Sequence, residues 1–161
     1  YAREASLPVV ILRFFNTTGP RQTGRYGMVV PNFVQAALEG RPLLVHGTGE
    51  QSRCFGHVKD VVESLIRLMA EPAARGQVFN IANDQEVTIH QLAEQVIAAT
   101  GSKSEIKLVP YDSVYPVGFE DMARRLPDVS KLQRTIGFRP RRGLSEIISD
   151  IIDEKRRTGL N

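Results

Sequence analysis

The side chains best suited to chemistry in this sequence are cations and amides placed where apolar runs break off. Asn16 and Arg21 follow the run from Val9 to Phe15, Arg53 follows Gln51-Ser52, and Arg124-Arg125 precede Leu126-Pro127-Asp128. A guanidinium offers a planar fork of donors that meets phosphate oxygens two at a time, and an amide adds both donors and an acceptor. Such a set is suited to holding an anionic ligand. Bond-making groups are harder to find. No Gly-x-Ser-x-Gly elbow occurs. His57 and His90 stand at the starts of expected helices without acidic or Cys companions at ligand spacing, so no metal site is expected. The single cysteine, Cys54, cannot form an internal disulfide or a zinc-type spacing, and is expected to be a small buried hydrophobe.

These residues need elements to position them. Val9 to Phe15 is a continuous apolar, β-branched run, which predicts a central strand buried on both faces. At Asn16 the composition turns to Thr, Gly and Pro, so the loop begins at the strand's carboxyl end, where parallel α/β sheets bind their ligands. Residues 1–6 read as the tail of a helix. Pro31 suits the first turn of the next helix, whose Phe33, Val34, Ala37 and Leu38 make one apolar face ending at Gly40, and whose amino terminus is a possible anion site. Leu43 to His46 reads as a short strand closed by Gly47-Thr48-Gly49. The run Gly47 to Ser52 is not a dinucleotide fingerprint, because the third Gly is missing and a strand rather than a helix is expected next.

Further on, Val58, Val61, Val62, Leu65, Ile66 and Met69 keep helical spacing and predict a core-facing stripe, with Met69 in the core. Gln77 to Ala82 predicts a second buried strand. Thr88 with Gln91 forms a capping box, with Val87 stapled to Leu92, for a helix that runs to Thr100 and ends at Gly101. Ile106 to Val109 predicts a strand, and Asp112 to Met122, aperiodic and carrying Pro116 and Gly118, a long loop. A short helix over residues 129–136 should stop at Gly137. A last one from about Ser145 should bury Ile147, Ile148, Ile151 and Ile152.

Size and charge narrow the reading. The 161 residues, 42% hydrophobic, suffice for one sizeable core, and one compact domain over residues 1–161 is expected, with no repeat and no linker. No apolar run approaches the roughly 20 residues that span a bilayer, and no charged-then-apolar leader opens the chain. With the lone cysteine, this predicts a cytoplasmic protein. A net charge of +3 favours anionic partners without calling for nucleic acid.

The segment Arg13-Phe14-Phe15-Asn16-Thr17-Thr18-Gly19-Pro20-Arg21-Gln22 resembles the LRxFNxxGPRQ segment of extended short-chain dehydrogenase/reductases that act on nucleotide sugars. Val30-Pro31-Asn32-Phe33, Pro42 to Gly47, Gln51-Ser52-Arg53-Cys54-Phe55 and Arg125-Leu126-Pro127-Asp128 follow in that family's order and spacing. Thr48 stands where the family usually has Asp. The resemblance implies the carboxyl-terminal half of a Rossmann-like α/β fold, with mixed small strands and helices and without the amino-terminal dinucleotide-binding half. It implies that Asn16, Val30, Leu44, His46, Arg53, Arg125 and Asp128 contact a nucleotide sugar. Arg53 and Arg125 would hold the diphosphate, Leu44 and His46 would wall the base, and Asp128 would accept from a ribose hydroxyl. Phe14 would stand near the nicotinamide of NAD.

Several of these positions have a plainer alternative: Arg53 as a solvated surface side chain, His46 as an ordinary strand end, Asp128 as an N-cap and Phe14 as core. The family's GxxGxxG loop and Tyr-x-x-x-Lys pair are absent from this sequence, since no Tyr has Lys four residues later. The expected activity is therefore that of a longer parent, an NAD-dependent UDP-sugar epimerase or dehydratase, with 4-epimerisation the first reading and a homodimer the implied assembly. The chain alone is expected neither to turn over nor to bind NAD. The rival reading is a non-catalytic module binding RNA or DNA phosphates through Arg53, Arg124 and Arg125. The lack of Trp and of a basic stripe interleaved with aromatics argues against it.

Overall fold

The computed structural model describes residues 4–114, 116 and 121–159. In chain order its strands are β1 (Ile11–Phe14), β2 (Thr17–Thr18), β3 (Leu43–His46), β4 (Ser52–Cys54), β5 (Gly56–His57), β6 (Val78–Ile81), β7 (Glu86–Thr88), β8 (Ile106–Val109) and β9 (Arg124–Arg125). Its helices are α1 (Val29–Leu38), α2 (Val58–Ala70), α3 (Ile89–Thr100), α4 (Ser130–Ile136) and α5 (Leu144–Thr158). Residues 1–3, at the start of the expected helix tail, lie outside the described residues, as do 115 and 117–120 of the expected loop; residues 4 and 5 form a turn and a bend. The chain divides into two compact units. One comprises Tyr1–Thr18, Cys54–Gln85 and Leu126–Leu144, the other Gly19–Arg53, Glu86–Arg125 and Ser145–Asn161.

In the first unit β1 pairs in parallel with β6, Ile11 opposite Val78 through Phe14 opposite Ile81, and β2 pairs in parallel with β5. Phe79 and Ile81 of β6 form a core with Val61 and Leu68 of α2 and Leu132 of α4, flanked by Val10, Leu12, Leu65 and Ile136. The expectation of a central, doubly buried β1 needs correction. Among the described elements its one ladder partner is β6, and Ile11 and Phe14 are about half exposed. A continuous apolar run announces what a strand is able to bury, and here Ile11 and Phe14, which point to opposite faces, are both left partly uncovered.

Helix α2 also differs from expectation. Its buried arc is Asp60, Val61, Ser64 and Leu68, whereas Val62, Ile66 and Met69 face outward, Met69 with 84% of its surface exposed. The helix holds more apolar residues than one face accommodates, so periodicity marks two stripes without saying which turns inward. The polar members of the buried arc are satisfied. Asp60 accepts the backbone N–H groups of Arg141 and Arg142, both at 2.8 Å, and pairs with the Arg142 guanidinium, while Ser64 Oγ donates to the Asp60 carbonyl at 2.8 Å. A carboxylate with this many donors can be buried without a large penalty. Pro8, Val10, Leu12, Leu65, Leu68, Met69 and Arg75 line an apolar groove in this unit.

The second unit follows expectation closely. Helix α1 buries Phe33, Val34 and Ala37, and Gly40 follows its end with φ of 67°. Strand β3 pairs in parallel with β8, its Leu43 and Val45 fully buried. The capping box of α3 is complete: Thr88 Oγ1 accepts from Gln91 N, Gln91 Oε1 accepts from Thr88 N, both at 3.1 Å, and Gly101 closes the helix in the left-handed region. Helix α5 buries Ile147, Ile148, Ile151 and Ile152. Strand β7, which the sequence reading did not foresee, joins β4 and β9 in a three-stranded sheet of order β7-β4-β9. No described helix is long and apolar enough to cross a membrane.

Candidate functional site

The β7-β4-β9 sheet sorts the arginines. Strands β4 and β9 are parallel, with Ser52 opposite Arg124 and Arg53 opposite Arg125. Successive side chains on a strand point to opposite faces, so Arg124 is separated from the other two. On its face, Arg124 forms a bidentate pair with Glu86 of β7, Nε to Oε1 at 2.8 Å and Nη2 to Oε2 at 2.9 Å, and Ser52 Oγ donates to the same carboxylate. The Arg124 guanidinium first, and the Ser52 hydroxyl second, lower the pKa of Glu86 to about 2. Arg124 is thus a structural cation, which takes it out of the phosphate-binding set of the nucleic-acid reading.

On the opposite face the register sets Arg53 beside Arg125. Like charges directly across a ladder repel, at a strand spacing of about 4.8 Å, and need a counter-anion. Arg53 is not a solvated surface residue, since 13% of its side chain is exposed. Its Nη1 donates to the carbonyls of Ser52 and Met122, each at 2.7 Å, and its Nη2 meets Asp121 Oδ1 at 2.5 Å. The second Asp121 oxygen accepts from Tyr111 OH at 3.0 Å. The Tyr111 ring lies against Gly47, where a Cβ would come within 2.3 Å of it and where φ is 71°. Sequence reasoning missed Asp121, Tyr111 and Glu86. Tyr111 stands two residues after β8, between it and the aperiodic segment, and Asp121 was visible only as part of that segment.

Other expected site residues fall as follows. Leu44, half exposed, and His46 share the outer face of β3, opposite Lys107 and Val109 of β8, and Gln51 Nε2 holds the His46 carbonyl at 2.8 Å. Thr48, in the place of the family's Asp, still closes its turn, accepting from Glu50 N at 3.3 Å. The segment after it enters β4, a strand, as expected of a run that is not a dinucleotide loop. Val30 is buried at 1% exposure, so it presents almost no surface to a ligand.

Asn16 adopts φ of 38°, a left-handed conformation that Asn tolerates. Its Nδ2 donates to the Cys54 carbonyl at 2.9 Å and its own carbonyl accepts from Gly56 N, fixing the turn from β1 into β2. Asp128 lies one residue before Val129, the N-cap of α4: its Oδ1 accepts from Ser130 N at 2.8 Å and from Ser130 Oγ at 2.5 Å, bonds that lower its pKa, the hydroxyl contributing most. Phe14 is half exposed, so the core alternative fails. Asn16, Phe14 and Asp128 belong to the first unit, Val30, Leu44, His46, Arg53 and Arg125 to the second. Cys54 is buried, and His57 caps α2 through Nδ1, which accepts from Lys59 N at 3.0 Å. Among the described residues no three His, Cys, Asp or Glu side chains gather in a way that could hold a metal.

The family model for the NAD-dependent epimerase/dehydratase family matches residues 1–82, half of the chain. The chain belongs to the NAD-dependent epimerase/dehydratase family. Within the epimerase/dehydratase family it is 44% identical over 147 residues to a UDP-N-acetyl-alpha-D-glucosaminuronate decarboxylase of Bacillus cytotoxicus, covering 88% of this chain and 46% of that protein. It is 38% identical to UDP-glucuronic acid decarboxylase 3 of Arabidopsis thaliana over the whole chain and 44% of the relative. A solved UDP-glucose 4-epimerase of Thermotoga maritima, determined with UDP-glucose, superposes with a TM-score of 0.86 at 30% identity, over 98% of this chain and 48% of that one. The chain spans somewhat under half the length of the curated relatives it matches. The α/β, Rossmann-like expectation stands, and the arginine pair lies on a fold that this family uses.

The family description names NAD. No Gly-rich loop opens onto a helix among the described residues that could cradle its pyrophosphate, and the Gly47–Gly49 turn feeds a strand. The residues present do not make an NAD site by themselves, so no hydride step is derived from them.

Proposed function

We propose that this chain forms the nucleotide-sugar-binding part of an NAD-dependent UDP-sugar-converting enzyme. The observation that carries this reading is the cross-strand register of Arg53 and Arg125. Two arginines at paired positions on neighbouring strands bring two positive charges to one face of the sheet, and a diphosphate supplies two phosphoryl groups joined by one bridging oxygen. In this reading Arg53 and Arg125 grip the diphosphate, and the outer face of β3, with Leu44 and His46, offers an apolar and aromatic wall to the base. Charge neutralisation at the diphosphate fixes the sugar; the redox chemistry on it belongs to NAD and to residues outside this chain.

Two reactions fit the relatives' names. The higher identities and near-complete coverage of this chain by UDP-uronate decarboxylases favour loss of a carboxyl group from a UDP-uronic acid. The likeness to a UDP-glucose 4-epimerase supports inversion at C4 as the second reading. Incubating the full-length protein and NAD with UDP-glucuronate, UDP-N-acetylglucosaminuronate or UDP-glucose, and following carbon dioxide and the sugar product by NMR, separates them. Carbon dioxide with a UDP-pentose or UDP-aminopentose supports decarboxylation, and UDP-galactose supports epimerisation. No turnover of any of the three, in a protein that also fails to bind UDP, would reject the proposal.

A further inference from the structure

The Arg53 side chain is enclosed by acceptors from its own chain, and these are not equivalent. The Ser52 and Met122 carbonyls are neutral backbone groups that fix the plane of the guanidinium, while Asp121 supplies the anion that pairs with it. That carboxylate is itself held from the other side by Tyr111 OH, and the Tyr111 ring rests on a glycine that leaves room for it. The chain Gly47, Tyr111, Asp121, Arg53 therefore delivers a negative charge to the place where a ligand phosphate is expected, and all four residues lie in the same unit.

We propose that Asp121 is an internal stand-in for the ligand's phosphate: it neutralises Arg53 while no ligand is bound and must be displaced when a diphosphate arrives. This deepens the proposed function and rests on its reading of Arg53 and Arg125 as the diphosphate site. Two physical consequences follow. The arginine pair stays ordered without a ligand, because its mutual repulsion is already screened. Affinity falls by the strength of the contact that has to be exchanged, so weakly anionic ligands, which cannot replace a charge-assisted hydrogen bond, are disfavoured. Tyr111 is a positioning residue, acting through the carboxylate it holds.

The test is calorimetric titration of the full-length protein and its variants with UDP, and with uridine as a phosphate-free probe. Asp121→Asn keeps the shape of the side chain and removes its charge, and is expected to tighten UDP about tenfold. Tyr111→Phe, which removes only the hydroxyl that fixes the carboxylate, is expected to tighten UDP about threefold. Uridine affinity should be unchanged in both. Unaltered or weaker UDP binding by Asp121→Asn, with Arg53→Ala weakened, overturns the stand-in role while leaving the diphosphate site intact. An equal gain for uridine also overturns it, because the effect would then come from the shape of the pocket. Parent-like UDP binding by both Arg53→Ala and Arg125→Ala instead sinks the underlying reading of the site. If thermal melts show Asp121→Asn unfolded, Tyr111→Phe decides by the same criteria.

Discussion

The outward face of α2 in the first unit and the three-stranded sheet of the second make opposite uses of their outward residues. On α2, Val62, Ile66 and Met69 are exposed while Asp60 and Ser64 are buried and bonded. In the β7-β4-β9 sheet the charges are paired by strand register, Arg124 to Glu86 on one face and Arg53 beside Arg125 on the other. The contrast teaches that apolar periodicity reports how much a helix is able to bury, whereas strand alternation reports which neighbours a side chain must meet. The first depends on what covers the helix. The second is settled locally.

The largest expected effects lie in the cores. Leu68→Ala in α2 and Ile148→Ala in α5 truncate fully buried side chains and should each cost about 2–5 kcal/mol in chemical denaturation. Ile148→Ala should leave UDP binding intact. A near-neutral Leu68→Ala would mean that the inward face of α2 has been misassigned. Next comes the arginine face: Arg53→Ala or Arg125→Ala in the full-length protein should weaken UDP-sugar binding about tenfold to a hundredfold, the value of one charge-assisted contact. Arg125→Ala should melt close to the parent, whereas Arg53→Ala, which leaves the Asp121 carboxylate without its cation, should melt lower.

Met69→Ser, one residue from Leu68, probes the outward stripe of α2. Because Met69 is outward in this chain, the change should shift stability by no more than about 0.5 kcal/mol. A loss as large as that of Leu68→Ala would put Met69 in a core after all. The smallest effect concerns Glu86. Its pKa is depressed to about 2 from an ordinary 4.5, so the stabilisation it gives is complete above pH 4.5 and fades as pH falls toward 2. Glu86→Gln should therefore flatten the dependence of the melting temperature on pH across that window, and an unchanged slope would argue against the Arg124–Glu86 pair.

Elements with local signals were readable from the sequence. The α3 capping box, the glycines after α1, α3 and α4, the strands Leu43–His46 and Ile106–Val109 and the four buried isoleucines of α5 all carry their cause within a few residues. The β1 and α2 exposures were not readable, because an apolar run does not record whether anything lies over it. At the site, Arg53 and Arg125 were identifiable through their segments, but their register was not, since it pairs positions 72 residues apart, counted from 53 to 125. A comparable separation of 68 residues hid the contact of Asp121 with Arg53, and with it the role of Tyr111, which bonds the same carboxylate. Asp128 was readable as either a ligand contact or a cap, and its side chain bonds the backbone N–H and hydroxyl of Ser130 at the start of α4.

The proposed joint grip of Arg53 and Arg125 on one diphosphate is open to a double-mutant cycle. UDP affinity would be measured by calorimetry for the full-length parent, Arg53→Ala, Arg125→Ala and the double variant. If both guanidinium groups grip the same ligand group, each single change weakens binding at least about tenfold, and the double change weakens it by less than the product of the two, since neighbours on one ligand couple. Parent-like affinity in all three variants, or two losses that multiply without coupling, would contradict the claim.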